Sequence, residues 1–162
     1  ERIGLNFGAP GDRMTRDGTL WLDYPSVGGP SPSITVRTTP LTPTWHYRHS
    51  IWMKGGTGWP WVAASAVEGL GKLTLHDLKP GRYTVRLYFA ELADNHPGDR
   101  VQTVSVQGRT ALSQLDIVDQ ANGSMRGFVH EIEDVDVGDV LTLKLTAAIG
   151  KTLISGVEAI RQ

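Results

Sequence analysis

Flat aromatic side chains near the start of the chain are the residues whose type and spacing most clearly indicate a chemistry. All five tryptophans lie within the first 61 residues: Trp21, Trp45, Trp52, Trp59 and Trp61. Two of them stand directly beside proline, in Trp59-Pro60-Trp61, and Trp45 shortly follows Pro43. Rigid flat groups in such loop-like sequence are typical of a recognition surface. The alternative is that each indole seals a loop against a sheet. We expect at least two of the five to be exposed.

Carbohydrate is the ligand chemistry that fits such a surface. A pyranose has apolar C–H faces and an equator of hydroxyl groups, so flat rings and polar side chains can recognise it together. Covering about 40 to 60 Å² of sugar face at roughly 25 cal/mol per Å² gives about 1 to 1.5 kcal/mol for each stacked ring. Two stacks with several hydrogen bonds predict a Kd of roughly 10 μM to 1 mM. The candidate ligand-binding residues are Trp21, Asp23, Tyr24, Trp45, His46, Tyr47, Trp59, Trp61, Glu91 and Asn95.

Motifs for catalysis or transition-metal binding do not hold up. Gly150-Lys151-Thr152 has the ending of a phosphate-binding loop, but Leu145 stands where that loop requires glycine. His46 and His49 lie in a proline-rich stretch without a third ligand nearby. No serine lies in a G-x-S-x-G motif. The chain has no cysteine, which excludes disulfides, thiolate zinc sites and cysteine nucleophiles.

A group of aspartates around Gly138 is faintly similar to a calcium-binding loop. Asp134, Asp136 and Asp139 lack the downstream bidentate glutamate of such a loop. A polar hairpin turn is the simpler interpretation. We therefore expect no cofactor, with a structural calcium ion as the alternative.

Composition and charge exclude several classes of protein. Apolar residues make up 40% of the chain and charged residues 20%, which is ordinary for a globular domain. The formal net charge of -1 gives no excess positive field for nucleic acid or an anionic membrane surface. No apolar run approaches the roughly 18 residues that a membrane span needs. We expect neither nucleic acid nor membrane as a partner.

The elements that must carry the aromatic residues are predicted to be strands. Seven of the nine prolines fall between Ala9 and Pro60, so this part of the chain is rich in loops. Apolar and polar residues then alternate with a period of two, most clearly in 83–90 and 141–146. Further strands are predicted at 73–75, 104–106, 128–132 and 154–160. Residues 61–68 are ambiguous, and strand and loop fits their neighbours better than a helix.

Because no long amphipathic segment separates the strands, the pattern favours an all-β fold, an antiparallel β-sandwich or jelly roll. The length of 162 residues suits one domain spanning 1–162. The chain begins and ends at predicted strands, without a visible signal peptide. We expect it to be a domain excised from a larger protein.

Residues 81–91 read Gly-Arg-Tyr-Thr-Val-Arg-Leu-Tyr-Phe-Ala-Glu. This segment resembles the central strand of malectin and the malectin-like carbohydrate-binding modules. Weaker similarities lie at 3–8, 100–108, 115–117 and 154–160, so the resemblance covers nearly the whole chain. It implies a galactose-binding-like β-sandwich that binds glycans through aromatic residues on loops at one end. It also implies an extracellular, cell-surface or periplasmic location.

The resemblance assigns positions in this sequence to the family's ligand-binding loops. The early aromatic loop corresponds to Trp21, Asp23 and Tyr24, and the aromatic residues before the central strand correspond to Trp59 and Trp61. The family's glutamate after Phe-Ala is Glu91, and the polar loop with Asn95 follows it. The identity of the sugar is not implied.

Individual residues also have plain structural interpretations. Asp23 can accept hydrogen bonds in a turn, and Arg100 is expected to pair with a neighbouring carboxylate. Tyr83 and Tyr88 are predicted to lie on opposite faces of one strand, and Phe89 in the core.

Three functions follow from these observations. The first is a noncatalytic carbohydrate-binding module, of a lectin-like and secreted kind, that holds other domains of its parent protein near a poly- or oligosaccharide. The second is a structural or protein-interaction β-sandwich without a sugar site. The third is a glycoside hydrolase that uses a carboxylate pair such as Asp23 and Glu91.

Overall fold

The strands of the protein form two large sheets and one small sheet in the computed structural model, which describes residues 1–29, 31 and 34–162. The strands are β1 (Arg2–Phe7), β2 (Arg13–Met14), β3 (Leu20–Tyr24), β4 (Thr35–Thr39), β5 (Thr44–Tyr47), β6 (Ser65–Glu68), β7 (Lys72–His76), β8 (Gly81–Phe89), β9 (Val101–Val106), β10 (Arg109–Leu115), β11 (Phe128–Val137), β12 (Leu141–Ile149), β13 (Leu153–Ile154) and β14 (Gly156–Arg161). The helices are a 3-10 helix (Ser50–Trp52), α1 (Pro60–Ala63) and α2 (Ile117–Ala121).

The two large sheets face each other as a sandwich. One has the strand order β11-β8-β14-β1-β3-β2, and the other has the order β10-β9-β12-β7-β4. The small sheet, in the order β13-β6-β5, lies at the end of the sandwich where β1 and β3 finish and β14 begins. Neighbouring strands pair antiparallel, except that β1 and β3 run parallel. The predicted all-β antiparallel sandwich is thus confirmed.

The alternating strands build the core from their inward-facing side chains. On β8, Tyr83, Val85, Leu87 and Phe89 are buried and pack in one cluster with side chains of both large sheets. Each such side chain contributes about 1.5 to 3 kcal/mol when it is fully buried. Tyr88 points to the opposite face, as predicted, so one strand serves the core on one side and the outer face on the other.

The outer face of the six-stranded sheet carries a second apolar cluster. Trp21 of β3 and Tyr88 of β8 are buried there together with Val62 of α1, and Trp61 packs against them. The prediction of strand and loop for 61–68 is therefore wrong at its start, because α1 spans Pro60–Ala63 before β6 begins at Ser65. Proline at the first helical position has a φ that suits a helix, and tertiary packing of Val62 supports this single turn.

Sequence reasoning found most strands of the second half but missed others. The strands expected at 73–75, 104–106, 128–132 and 141–146 are present, and the one expected at 83–90 is present as β8, which ends at Phe89. β10 was not predicted, and the expected closing strand is divided into β13 and β14. α2 follows β10 directly, with Asp116 as its N-cap accepting a hydrogen bond from the Asp119 amide at 3.1 Å.

None of the helices in the described residues has the length and apolar character that crossing a membrane requires. The same part of the chain contains no cluster of three or more His, Asp or Glu side chains able to hold a metal ion. The aspartates around Gly138 instead face an arginine, because Arg82 lies 3.1 Å from the Asp134 carboxylate and 3.8 Å from that of Asp136.

Candidate functional site

Four aromatic side chains with accessible rings come together around α1. We call Tyr47, Trp52, Trp59 and Trp61 the aromatic surface. Tyr47 is 51% exposed, Trp52 66% and Trp59 36%, and Trp61 is half-buried. Tyr47 ends β5 opposite Ser65, the residue that begins β6 just after α1. The 3-10 helix that carries Trp52 packs against α1, so short regular elements hold all four rings. The expectation that at least two tryptophans are exposed is confirmed.

The two tryptophans of α1 and its N-cap lie side by side. The ring centroids of Trp59 and Trp61 are 6.0 Å apart and the rings are inclined by 33°. Gly58, just before them, has a φ of 78°, and a Cβ there would lie 2.4 Å from Val129 and 2.7 Å from the Tyr88 ring. Only glycine fits this left-handed and crowded position. The close approach fixes Trp59 at the surface.

Trp61 continues the arrangement inward to buried rings. Its centroid lies 5.6 Å from that of Trp21 in an edge-to-face contact, and Trp21 lies 5.1 Å from Tyr88 in another. Arg13 of β2 covers the other side, with its guanidinium carbon 4.6 Å from the Trp61 centroid. The rings of Trp59, Trp61, Trp21 and Tyr88 therefore form a column that leads from solvent to the sheet.

Trp21 offers no free face, in contrast to the expectation that it contacts a ligand. It is 1% exposed, and its ring lies so close over Gly4 that a Cβ there would be 2.3 Å from Trp21 Cδ2. Its indole N–H has no hydrogen-bond partner among the described residues. The side chain supports Trp61 from below, so its contribution to a site is positional.

Tyr24 and Trp45 form a separate cluster at the end of the sandwich. Their ring centroids are 5.7 Å apart, and each lies 6.4 Å from that of Phe7, which is fully buried. Trp45 pairs with Val67 in the small sheet and packs against the main core. Both predicted residues thus close the end of the core.

Asp23 has the structural role of a turn acceptor. Its carboxylate accepts a hydrogen bond from the Val27 amide at 3.0 Å, and its own amide donates to Asp12 at 2.9 Å. A groove of about 850 Å³ runs beside it, between β3 and β4, with Tyr24 in its lining.

A row of charged side chains lies at the end of the molecule that carries the small sheet. His46 lies 3.7 Å from Glu68, and Arg100 donates to Glu68 at 2.9 Å and to Glu91 at 2.7 Å. Burial alone would raise the pKa of the Glu68 carboxyl, but the hydrogen bond and charge of Arg100 outweigh burial and lower this pKa. The expected pairing of Arg100 with a carboxylate is confirmed.

Glu91 and Asn95 contribute to the structure of this end. Glu91 is 1% exposed, and its second oxygen accepts a hydrogen bond from the Ala93 amide at 3.2 Å. Asn95 is half-buried, and its backbone carbonyl accepts a hydrogen bond from Ser124. Both oxygens of Glu91 are therefore engaged within the fold, and Asp23 serves a turn, so each of these two carboxylates has a structural role.

Of the ten candidate residues, the structure brings Tyr47, Trp59 and Trp61 together at an accessible surface and places Trp21 beneath them. It also adds two residues that were not among the candidates, Trp52 and Arg13. Trp52 belongs to the tryptophan cluster in the sequence, so its residue type was a usable signal. Arg13 gave no usable signal in the sequence, because its position over Trp61 depends on the pairing of β2 with β3.

Comparisons with known proteins agree with this architecture. The profile described as Malectin domain matches residues 74–161. The sequence comparison with curated proteins finds no match. Among solved structures, a beta-glucuronidase of Bacteroides uniformis superposes with a TM-score of 0.74 at 11% identity, covering 100% of this chain and 18% of that one.

Extracellular domains of plant receptor-like kinases also superpose on the chain. The ANXUR1 extracellular domain from Arabidopsis thaliana has a TM-score of 0.74 at 16% identity, with 98% of this chain and 47% of that chain covered. The structure of plant peptide RALF23 in complex with FER and LLG2 has a TM-score of 0.64 at 20% identity, with 98% of this chain and 48% of that chain covered. At these identities the likeness shows the fold alone. The chain spans less than half the length of these structures.

Proposed function

The chain belongs to the malectin domain family, and from this premise we propose that it is a noncatalytic module that binds a poly- or oligosaccharide through the aromatic surface. The observation that carries the proposal is the pair of adjacent indoles, Trp59 and Trp61, which pack against each other and of which Trp59 is accessible. A binding module is the function typical of this family. The sugar and the residues that contact it are our inference.

Rigid support is what makes Trp59 useful for weak binding. A side chain that is already fixed by Pro60, Gly58 and the neighbouring ring loses little conformational entropy when a ligand stacks on it. The full stacking contribution of about 1 to 1.5 kcal/mol per ring then remains available for affinity. Trp52, more exposed and on the adjacent 3-10 helix, supplies a second ring.

Polar groups next to these rings can bind hydroxyl groups. Tyr47 is exposed at the end of β5, and the half-buried His46 precedes it. Their hydrogen bonds would select among sugars more than they would strengthen binding, because each replaces a bond to water. The proposed ligand contacts are therefore Tyr47, Trp52, Trp59 and Trp61, with His46 beside them.

We place the module outside the cell and within a longer protein. The receptor structure that it superposes on is an extracellular domain, and it is about twice as long as this chain. Weak affinity suits such a setting, because an attached module raises the effective concentration of its neighbours at a polysaccharide. That residues 1–162 form one domain remains a prediction.

Tryptophan fluorescence titrated with a panel of soluble oligosaccharides tests the proposal, followed by calorimetry on the ligands that respond. We expect a Kd of roughly 10 μM to 1 mM. Trp59→Ala should weaken binding about fivefold to tenfold, which corresponds to one lost stack. Trp59→Phe keeps a flat face and should retain most of the affinity.

Ile149→Ala is the matched control, because Ile149 is an exposed apolar residue on β12 of the other large sheet. Its affinity should equal that of the unchanged protein. The proposal fails if no saccharide in a broad array binds, or if Trp59→Ala binds as well as Ile149→Ala does.

A protein-binding surface is a second candidate function. Ile51 and Trp52 are neighbours on the 3-10 helix and are both largely exposed, which is a combination that protein interfaces use. Under this alternative, saccharides leave the fluorescence unchanged. An extracellular protein partner would then lose affinity on Trp52→Ala and keep it on Trp59→Ala.

A further inference from the structure

Charge is unevenly distributed along the chain. Residues 24–67 contain no Asp or Glu, yet they include Arg37, Arg48 and Lys54, although the whole chain has a net charge of -1. This segment carries every residue of the aromatic surface. The surface is therefore built on a cationic stretch of an otherwise slightly acidic protein.

The cations around the aromatic surface have no anionic partner within the described residues. Arg48 follows Tyr47, and among the described residues its guanidinium donates only to the carbonyl of Tyr47. Arg126 donates to two backbone carbonyls, those of Ala121 and Lys54, both at 2.8 Å. No carboxylate of residues 1–29, 31 and 34–162 lies within 4.0 Å of the charged nitrogens of Arg13, Arg48, Lys54 or Arg126. Their positive field is thus uncompensated at short range.

Two carboxylates near this side of the sheet are already paired with a cation. Glu158 is fully buried and lies 3.4 Å from Arg86, which also pairs with Glu131. These two carboxylates therefore do not compete for the free cations.

Arg13 has the geometry of an anion-binding group. Its guanidinium lies over the Trp61 ring with its central carbon 4.6 Å from the centroid, and Trp61 is the neighbour of the accessible Trp59. A guanidinium that stacks on an aromatic face keeps the N–H donors at its edge for a planar anion, which it can bind with two parallel hydrogen bonds. The exposed Arg13 side chain makes no hydrogen bond within the described residues.

We propose that the saccharide bound at the aromatic surface is acidic, bearing carboxylate or sulfate groups, and that Arg13 is the residue that selects it. This inference rests on the proposed function and specifies its ligand class. A sugar ring stacks on Trp59 while its anionic group meets the edge of the Arg13 guanidinium. Arg48 and Lys54 add attraction at longer range.

Matched pairs of probes test the inference by calorimetry at 50 mM and 300 mM salt. One pair is an oligosaccharide of hexuronic acids and its methyl ester, and the other is a sulfated dextran oligosaccharide and unmodified dextran of the same length. We expect the acidic member of at least one pair to bind about tenfold more tightly than its neutral partner at 50 mM salt, with a smaller ratio at 300 mM. Comparison of the two pairs distinguishes carboxylate from sulfate.

Variants separate the charge from the fold. Arg13→Gln should remove most of the preference for the acidic member, and Arg13→Lys, which keeps the charge but loses the planar fork, should restore part of it. Arg109→Gln is the control, because Arg109 is an exposed cation on β10 of the other sheet. Circular dichroism and thermal unfolding of each variant show that it is folded.

The outcomes distinguish this inference from the proposed function. Equal or tighter binding of the neutral members, weakened by Trp59→Ala, would overturn the acidic ligand and leave carbohydrate binding in place. An acidic preference that Arg13→Gln leaves intact would overturn the role of Arg13. Failure of all four probes and of every glycan in an array would overturn both proposals.

Discussion

Replacing Trp21 by alanine should destabilise the fold strongly, whereas the same change at Trp59 should not. Trp21 is 1% exposed and contacts Trp61 and Tyr88 edge to face, in addition to covering Gly4. Truncation of a buried tryptophan to alanine costs about 3 to 5 kcal/mol through lost burial and the cavity left behind. For a chain of this size, roughly 2 to 4 °C of melting temperature is lost per kcal/mol. We therefore expect Trp21→Ala to lower the Tm by about 6 to 20 °C.

Trp59→Ala is the matched comparison because both variants remove one indole from the same column. Trp59 is partly exposed and loses mainly its contact with Trp61, which we expect to cost about 1 kcal/mol. Urea unfolding followed by far-ultraviolet circular dichroism measures both free energies without relying on the removed fluorophore. Iodide should quench the remaining tryptophan fluorescence less in Trp59→Ala than in Trp21→Ala, because Trp59 is the more accessible of the two indoles.

A loss of less than about 1.5 kcal/mol in Trp21→Ala would refute the structural role argued for this side chain, because it lies below the range for a buried tryptophan. The reverse order of the two variants would show that the column is anchored at Trp59 and that Trp21 is the accessible ring.

Three further changes probe the outer face and the row of charged side chains. Gly4→Ala places a Cβ 2.3 Å from Trp21 Cδ2 and should cost about 1 to 3 kcal/mol in urea unfolding; an unchanged midpoint would contradict the packing. Arg100→Met leaves the buried Glu91 carboxylate without its cation and should cost about 3 to 5 kcal/mol in thermal unfolding, with partial recovery in the double variant with Glu91→Met. The lowered pKa of Glu68 means that its ion pair stabilises the fold above the ordinary value of 4.5 and that this stabilisation is lost as pH falls through the folded-state pKa. Urea midpoints of Glu68→Gln should therefore lie below those of the unchanged protein at pH 7 and approach them at lower pH; a constant difference across this range would contradict the ion pair.

The fold was predictable because its signal is local and repeated. Alternation along 83–89 places every second side chain on one face, and burial of that face follows from the period of a strand. The motif of residues 81–91 also indicated the malectin family. β10 was missed because its pattern is mostly polar, and its pairing with β9 includes two register shifts. Such irregular pairing leaves no simple period in the sequence.

The site was only partly predictable because burial of a tryptophan depends on contacts that are distant in the chain. Trp21 and Trp59 are the same residue type near glycines and prolines, yet α1 covers Trp21. The single turn at Pro60–Ala63 is too short to give a clear helical pattern, so residues 61–68 stayed ambiguous and the packing of α1 over β3 was not predicted. Glu91 was identified by its place in a motif, but its partner Arg100 made it structural.

Concentration of the tryptophans in one part of the chain now has a physical explanation that joins stability and recognition. An exposed indole can hold a fixed orientation only if another rigid group supports it, and Trp61 provides that support for Trp59. Trp61 is itself held between Trp21 beneath it and Arg13 above it. The buried rings therefore serve the accessible ring by keeping it in place, and a substitution at Trp21 that leaves the protein folded should still weaken ligand binding through Trp59.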